Sequence, residues 1–389
     1  MTQVIVAGAL ANKPDNGGEA WVRLSWVRAL ESLGFQVLFL EEVAPEFLGG
    51  WTPHPRGNGA EAPASLEYFR RVVRDFDLKG RAAVVDRNGR WAWGMHLNEL
   101  EARVKTSHML VNIGGHLTCP ALFDQVPCRV YVDIDPGFTH FWEARGIQGA
   151  RLEGHHHYFT IGENVGRKEC LIPTLGLRWH PIRQPVVLSD WSPVPDGRPD
   201  RFTTVANWRG PFGPVQFGGR TFGLKVHEFR RFIEFPTHAR GTFEIALNIH
   251  PDDRADLERL ESNGWVIVDP RDATGDPTAF RRYIQGSGAE FSVAQGIYVD
   301  TRSGWFSDRS TRYLACGKPV LVQDTGLNGV LPTGEGLLTF TTLDEARDGA
   351  RQILEDYGAH SQAARHLARD HFSPRAALDR LLDVTGVVP

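Results

Sequence analysis

Cysteine, charge of one sign and long apolar runs are all scarce in this chain of 389 residues. Its four cysteines, Cys119, Cys128, Cys170 and Cys316, show no C-x-x-C spacing. That excludes a disulfide framework or a zinc ribbon and fits the free thiols of a reducing compartment. Lys and Arg number 43 against 47 Asp and Glu, a net charge of −4, too small to steer the protein toward a nucleic acid or an anionic membrane. No basic patch with interleaved aromatics stands out, so nucleic acid is not an expected partner. No apolar run reaches the roughly 18 residues of a membrane span. The apolar opening "VIVAGALA" has no basic residue before it and runs into "NKPDNGGE", which reads as a strand and a loop rather than a signal segment. These absences lead to the expectation of a cytoplasmic protein without stable membrane insertion.

What is present is an ordinary globular composition, 41% hydrophobic, on a chain long enough for two cores. Short β-rich runs alternate with helical patterns throughout. In the first half they are "QVIVAG" (3–8), "QVLFLEE" (36–42), "AAVVD" (82–86), "MLVNIG" (109–114), "RVYVDID" (129–135) and "YFTIG" (158–162). Several are continuously apolar, as in parallel strands covered on both faces. Between the first two, Ala20, Leu24, Val27 and Leu30 share one helical face and Gly34 stands at a C-terminal stop, which makes a βαβ unit. The proline-rich stretch from 172 to 200 reads as an extended linker. Alternation resumes with "FTTVAN" (202–207), "TFEIALN" (242–248), "GWVIVD" (264–269), "AEFSVA" (289–294), "PVLVQ" (319–323) and "GLLTF" (336–340), and the rest is helical. The fold class is therefore α/β, with two doubly wound, Rossmann-like domains facing across a cleft, at 1–183 and 184–370, and a C-terminal helix at 371–389 packing back on the first. Ligands of such sheets collect outside the carboxyl ends of the strands.

One stretch, "GWFSDRSTRYLACGKPVLVQDTG" (304–326), carries more polar chemistry than a helix start requires. Ser307 or Asp308 is a good N-cap, and Gly317 with Pro319 stops the helix. Arg309 stands in the first turn, where the dipole prefers acids. Ser307, Asp308, Arg309 and Ser310 would suit a pyrophosphate at the helix N-terminus, with Asp324, Thr325 and Gly326 at the end of the following strand. A capped helix with a surface arginine is the plainer reading of the same residues.

This stretch, followed by "GVLPTGEGLLTFTTLDEA", resembles the C-terminal half of GT-B glycosyltransferases, and within them the spore-maturation-protein-like group, over about residues 289–375. The resemblance implies sugar transfer from a nucleotide-activated donor, UDP- or dTDP-linked, to an acceptor hydroxyl on a small molecule or glycan, with no bound cofactor and no required metal. It implies that Arg309 holds the diphosphate. Many GT-B enzymes grip the ribose with a glutamate where this chain has Arg312, and its partner eight residues upstream is replaced by Gly304; Asp324 or Thr325 could stand in.

Other candidates follow from strand ends. "ANWRGPFGPVQFGGRTFGLK" (206–225) is a glycine-rich loop after a strand, and Lys225 at its end could neutralise phosphate. Trp208, with Trp179 and Trp191 near the hinge, could stack a base or sugar, or simply pack between domains. Gly17 and Gly18 open the first helix without a G-x-G-x-x-G fingerprint and would admit a donor close to the backbone. An inverting transferase needs a base, and His116, then Asp135, are the candidates at cleft-facing strand ends. Consecutive His155, His156 and His157 alternate faces and do not read as a metal site. Two rival readings are a nucleotide-sugar epimerase of the same fold and a non-catalytic protein that binds nucleotide sugars.

Overall fold

The apolar runs become parallel strands because helices cover both faces: β3 (Ala82–Asp86) and β5 (Met109–Ile113) are buried at every residue. The computed structural model describes residues 2–48, 51, 62–147, 149, 151–194, 198–210 and 212–389. The first sheet also contains β1 (Gln3–Ala7), β2 (Gln36–Val43), β4 (Ala92–Trp93), β6 (Cys128–Asp133), β7 (His157–Thr160) and β8 (Trp179–Pro181). Its order is β4-β3-β2-β1-β5-β6-β7-β8, parallel except for the β3–β4 pair.

The second sheet holds β9 (Arg201–Asn207), β12 (Thr242–Asn248), β13 (Trp265–Val268), β14 (Ala289–Ser292), β15 (Val320–Gln323) and β16 (Leu337–Phe340), in the order β13-β12-β9-β14-β15-β16. A hairpin of β10 (Val215–Phe217) and β11 (Arg220–Phe222) lies outside it. Both sheets wind outward from their first strand, so each reverses direction between that strand and the next to join it: β1 and β5 in one, β9 and β14 in the other. That is where doubly wound sheets bind ligands.

The expected boundary at 183/184 falls between β8 and β9. The stretch read as a linker holds β8 and a short 3-10 turn, Leu188–Asp190. The tail packs on the segment around that boundary: the Val186 amide donates to the Phe372 carbonyl at 2.8 Å, and the helix Pro374–Thr385 brings Arg380 beside His180 of the first domain. Apolar packing also crosses between domains. Trp21 on the helix Gly17–Ser32 packs on Trp191 at 4.7 Å and donates its indole N–H to the Pro277 carbonyl at 2.8 Å. No described helix is long and apolar enough to cross a membrane.

Candidate functional site between the two sheets

Strand ends of the second sheet open onto a cavity of about 710 Å³. Its lining includes Asn207 after β9, Asn248 and Ile249 after β12, and Asp269 after β13. Asn248 donates to Asn207 at 3.0 Å, and both amides are exposed. The first domain supplies the opposite wall from the start of its first helix: Asn16, Gly18 and Glu19. Asn16 caps that helix by accepting from the Glu19 amide at 3.1 Å.

The helix Asp308–Ala315 brings its N-terminus to this cavity through Asp308 and Arg309. Ser307 is the N-cap, accepting from the Arg309 amide at 3.2 Å. The Arg309 guanidinium is mostly consumed by its own domain. Nε donates to Glu290 at 2.6 Å, Nη2 to Ser292 at 2.7 Å and Nη1 to the Val205 carbonyl at 2.9 Å. Glu290 is fully buried, and its second oxygen has no partner. Arg309 is thus both the counter-charge of a buried acid and one edge of the cavity. Lys225 lies nearby and donates Nζ to the Val293 carbonyl. Burial, and then the Arg309 charge, push its ammonium down to about 7.

On the first-domain side, Glu19 pairs with Arg23. Burial opposes its charge, yet Arg23 and Lys13 hold its carboxyl below the usual range. The Glu19 carboxylate raises both base candidates, but their other surroundings drive them apart. Burial, then Arg23 and Arg151, push His116 down to about 3, so it is a neutral, weak base. Crowding of protein around Asp135, then the Glu19 and Asp133 carboxylates, push it up to about 6, although its side chain keeps open surface. Tyr298 of the second domain donates its hydroxyl to Asp135 at 3.0 Å. A base titrating near neutrality is better matched to proton abstraction, and on that ground Asp135 suits the role better than His116.

Several other expectations need correction. Trp208 is buried in the second core, donating to Asp256 at 2.9 Å and packing on Phe229, and it does not gather with Trp179 or Trp191. Gly17 does not make room for a ligand. A Cβ there would lie 2.2 Å from the Asp276 carbonyl oxygen, so it is the other domain's backbone that comes close. Asp324 caps its own turn, accepting from the Gly326 and Leu327 amides at 2.9 Å each. Thr325 donates to the Trp305 carbonyl at 2.6 Å, and the Gly326 carbonyl accepts from Asn164 of the first domain at 2.8 Å. Gly326 joins the two domains, Asp324 and Thr325 brace their own, and none of the three lines the cavity. Ser310 is buried with an unpartnered hydroxyl, away from the cavity wall. His155 packs between Phe123 and Tyr131, while His156 lies beside Arg129, so the histidines do not converge.

Arg312, in the position of a ribose-binding glutamate, is 1% exposed. It pairs with Asp308, reaches Ser25 of the first domain at 3.3 Å and lies over the Trp191 and Phe280 rings. Its role is packing at the domain junction. Asn207, Asn248, Asp269, Glu19 and Glu290 went unnoticed in the sequence. The ends of "FTTVAN", "TFEIALN" and "GWVIVD" were the signal available for the first three.

No family model matches the sequence, and no curated protein does. Solved structures do. An alpha-glucosyltransferase in complex with UDP shares 10% identity and a TM-score of 0.60, with 100% of each chain covered. The fold is GT-B. The sucrose-phosphate synthase of Thermosynechococcus elongatus shares 12% identity with a TM-score of 0.54, over 99% of this chain and 98% of that one. HepE of Anabaena, in complex with UDP, shares 11% with a TM-score of 0.55, over 99% and 100%. The alpha-glucosyltransferase is also known bound to UDP and a 13-mer DNA, at a TM-score of 0.59 and 10% identity over 99% of each chain.

Proposed function

We propose that the protein is a glycosyltransferase that takes a nucleoside-diphosphate sugar in the cavity between its two sheets. The observation that carries this reading is the division of charge across the GT-B cleft. Arg309 and the N-terminus of its helix lie on one wall, with Lys225 close enough to feel the Arg309 charge, and Glu19 lies on the other, with its charge felt by Asp135. The nucleoside would lie over the open amides of Asn207 and Asn248 and the Asp269 carboxylate. UDP in two of the similar structures supports a uridine diphosphate donor. The resemblance to the spore-maturation-protein-like group supports the same class. The acidic net charge favours a small or glycan acceptor over nucleic acid.

In the reaction, Asp135 removes the acceptor hydroxyl proton while the oxygen bonds to the anomeric carbon and the bond to the diphosphate oxygen breaks. Arg309, Lys225 and the helix N-terminus receive the charge that develops on the leaving diphosphate, an electrostatic contribution needing no proton transfer. Tyr298 orients the base from across the cleft.

The test is a thermal-shift series of nucleoside diphosphates followed by turnover of the best-bound UDP sugar. A ligand at about 100 times its Kd should stabilise by about 2.7 kcal/mol. Asp135→Asn should keep that binding and lose roughly 10²–10⁴-fold in transfer rate. Donor turnover without acceptor would instead indicate an epimerase, and binding without transfer or hydrolysis a non-catalytic protein.

A further inference from the structure

A second cavity, of about 610 Å³, lies at the far edge of the first sheet. It is bounded by β7, the approach to β8 and the C-terminal helix Pro374–Thr385, and its lining includes Arg178, His180 and Arg380. The volume falls in the range of metabolite sites. Tyr158, Leu177 and Val384 give it apolar surface. Its polar lining is almost entirely basic: His156 and His157 complete the set, against the single acid Asp383.

The basic groups converge on one concave surface with little counter-charge beside them. Most arginines of the chain face a carboxylate, as Arg183 does Glu163 at 2.7 Å and Arg201 does Glu244 at 2.6 Å. Among the described residues Arg178 and Arg380 have no acidic partner within 4.0 Å. Arg380 points Nη2 at Nδ1 of His180, 3.5 Å away. His180 is 7% exposed and packs on Phe159. A guanidinium against a ring nitrogen is tolerable only while the imidazole is neutral. Burial, then Arg380, Arg178 and His157, hold His180 below the ordinary histidine range. Burial, then Arg129 and His157, do the same for His156. Like charges converging on a concave surface lower the cost of bringing in an anion.

We propose that the cavity bounded by Arg178, His180, Arg380 and His157 binds a phosphomonoester, separately from the donor cleft. The two arginines would grip the phosphate by charge-assisted bonds, and Tyr158, Leu177 and Val384 would hold the body of the ligand. Asp383 opposes the anion and sets the selectivity against larger negative charge. A free sugar phosphate and a phosphate on a lipid headgroup share this chemistry.

Calorimetry of the full chain with glucose 6-phosphate, and sedimentation with vesicles containing phosphatidic acid, separates these sources. Either probe should bind. Arg178→Ala with Arg380→Ala, both exposed positions, should weaken it roughly tenfold or more, the loss of at least one charge-assisted bond. Asp383→Asn should strengthen it. Saturating UDP should leave the binding unchanged, which keeps the outcome independent of the donor site. Binding that is unaffected by the double substitution, that UDP displaces, or that is absent for both probes would overturn the proposal.

Discussion

The two sheets share one winding pattern, yet they treat the polar residues at their strand ends in opposite ways. In the first sheet these groups are spent on the protein itself. Glu41 accepts from the Ala11 and Asn12 amides at 2.6 and 2.8 Å, and burial pushes it up to about 7. Glu42 accepts from the Thr118 and Cys119 amides, Asn112 bonds the Leu117 backbone, and Asp133 takes the Thr139 and Thr160 hydroxyls. In the second sheet Asn207, Asn248 and Asp269 stay exposed toward the cavity. A common topology therefore does not put ligand on both sheets equally. The first wall is a braced frame; in the second, Asn207 and Asn248 bond each other and Asp269 caps the next helix, yet all three stay open to the cavity.

The comparison breaks most visibly at Arg309. Replacing it with Ala strands the buried Glu290 charge, which should cost about 3–5 kcal/mol in chemical denaturation. Adding Glu290→Gln should restore much of that stability while leaving nucleotide affinity low. Recovery of both would show that Arg309 serves only the fold. Next in size is Gly17→Ala. Its Cβ would overlap the Asp276 carbonyl, so the domains must part, at an expected cost of about 1–3 kcal/mol in thermal or denaturant unfolding. Unchanged stability with weakened UDP binding would return Gly17 to a ligand role.

A smaller effect belongs to pH. The Lys225 proton is lost near pH 7 rather than 10.5 because the folded state disfavours its charge. Its cation is present below that pH and fades above it, so UDP affinity in calorimetry should fall as pH rises through about 7. Lys225→Arg, which stays charged, should flatten the dependence.

Much of this architecture was legible because its signal is local. A run such as "TFEIALN" needs only its own apolar residues to read as a buried strand, and it forms β12 with the same limits. The β10–β11 hairpin and β8 were missed because they are three residues each, too short for a period and surrounded by glycine or proline. The site was less legible because partners far apart in sequence decide it. Trp208 is claimed by Asp256 and Arg309 by Glu290, while Arg312 is claimed by Trp191 and, across the domain junction, by Ser25. A loop composition rich in glycine and tryptophan does not say which of these contacts will form. The stretch 304–326 divides accordingly: its helix start edges the cavity, and its far end latches the domains.

The central claim, that nucleotide is held by the second sheet's open strand ends, is tested most directly by calorimetry of UDP with two variants. Asn207→Ala with Asn248→Ala on one wall should weaken binding roughly tenfold, about 1.4 kcal/mol, while Glu41→Gln in the braced wall changes it little. Full UDP affinity in the double variant, or a loss confined to Glu41→Gln, would contradict the account.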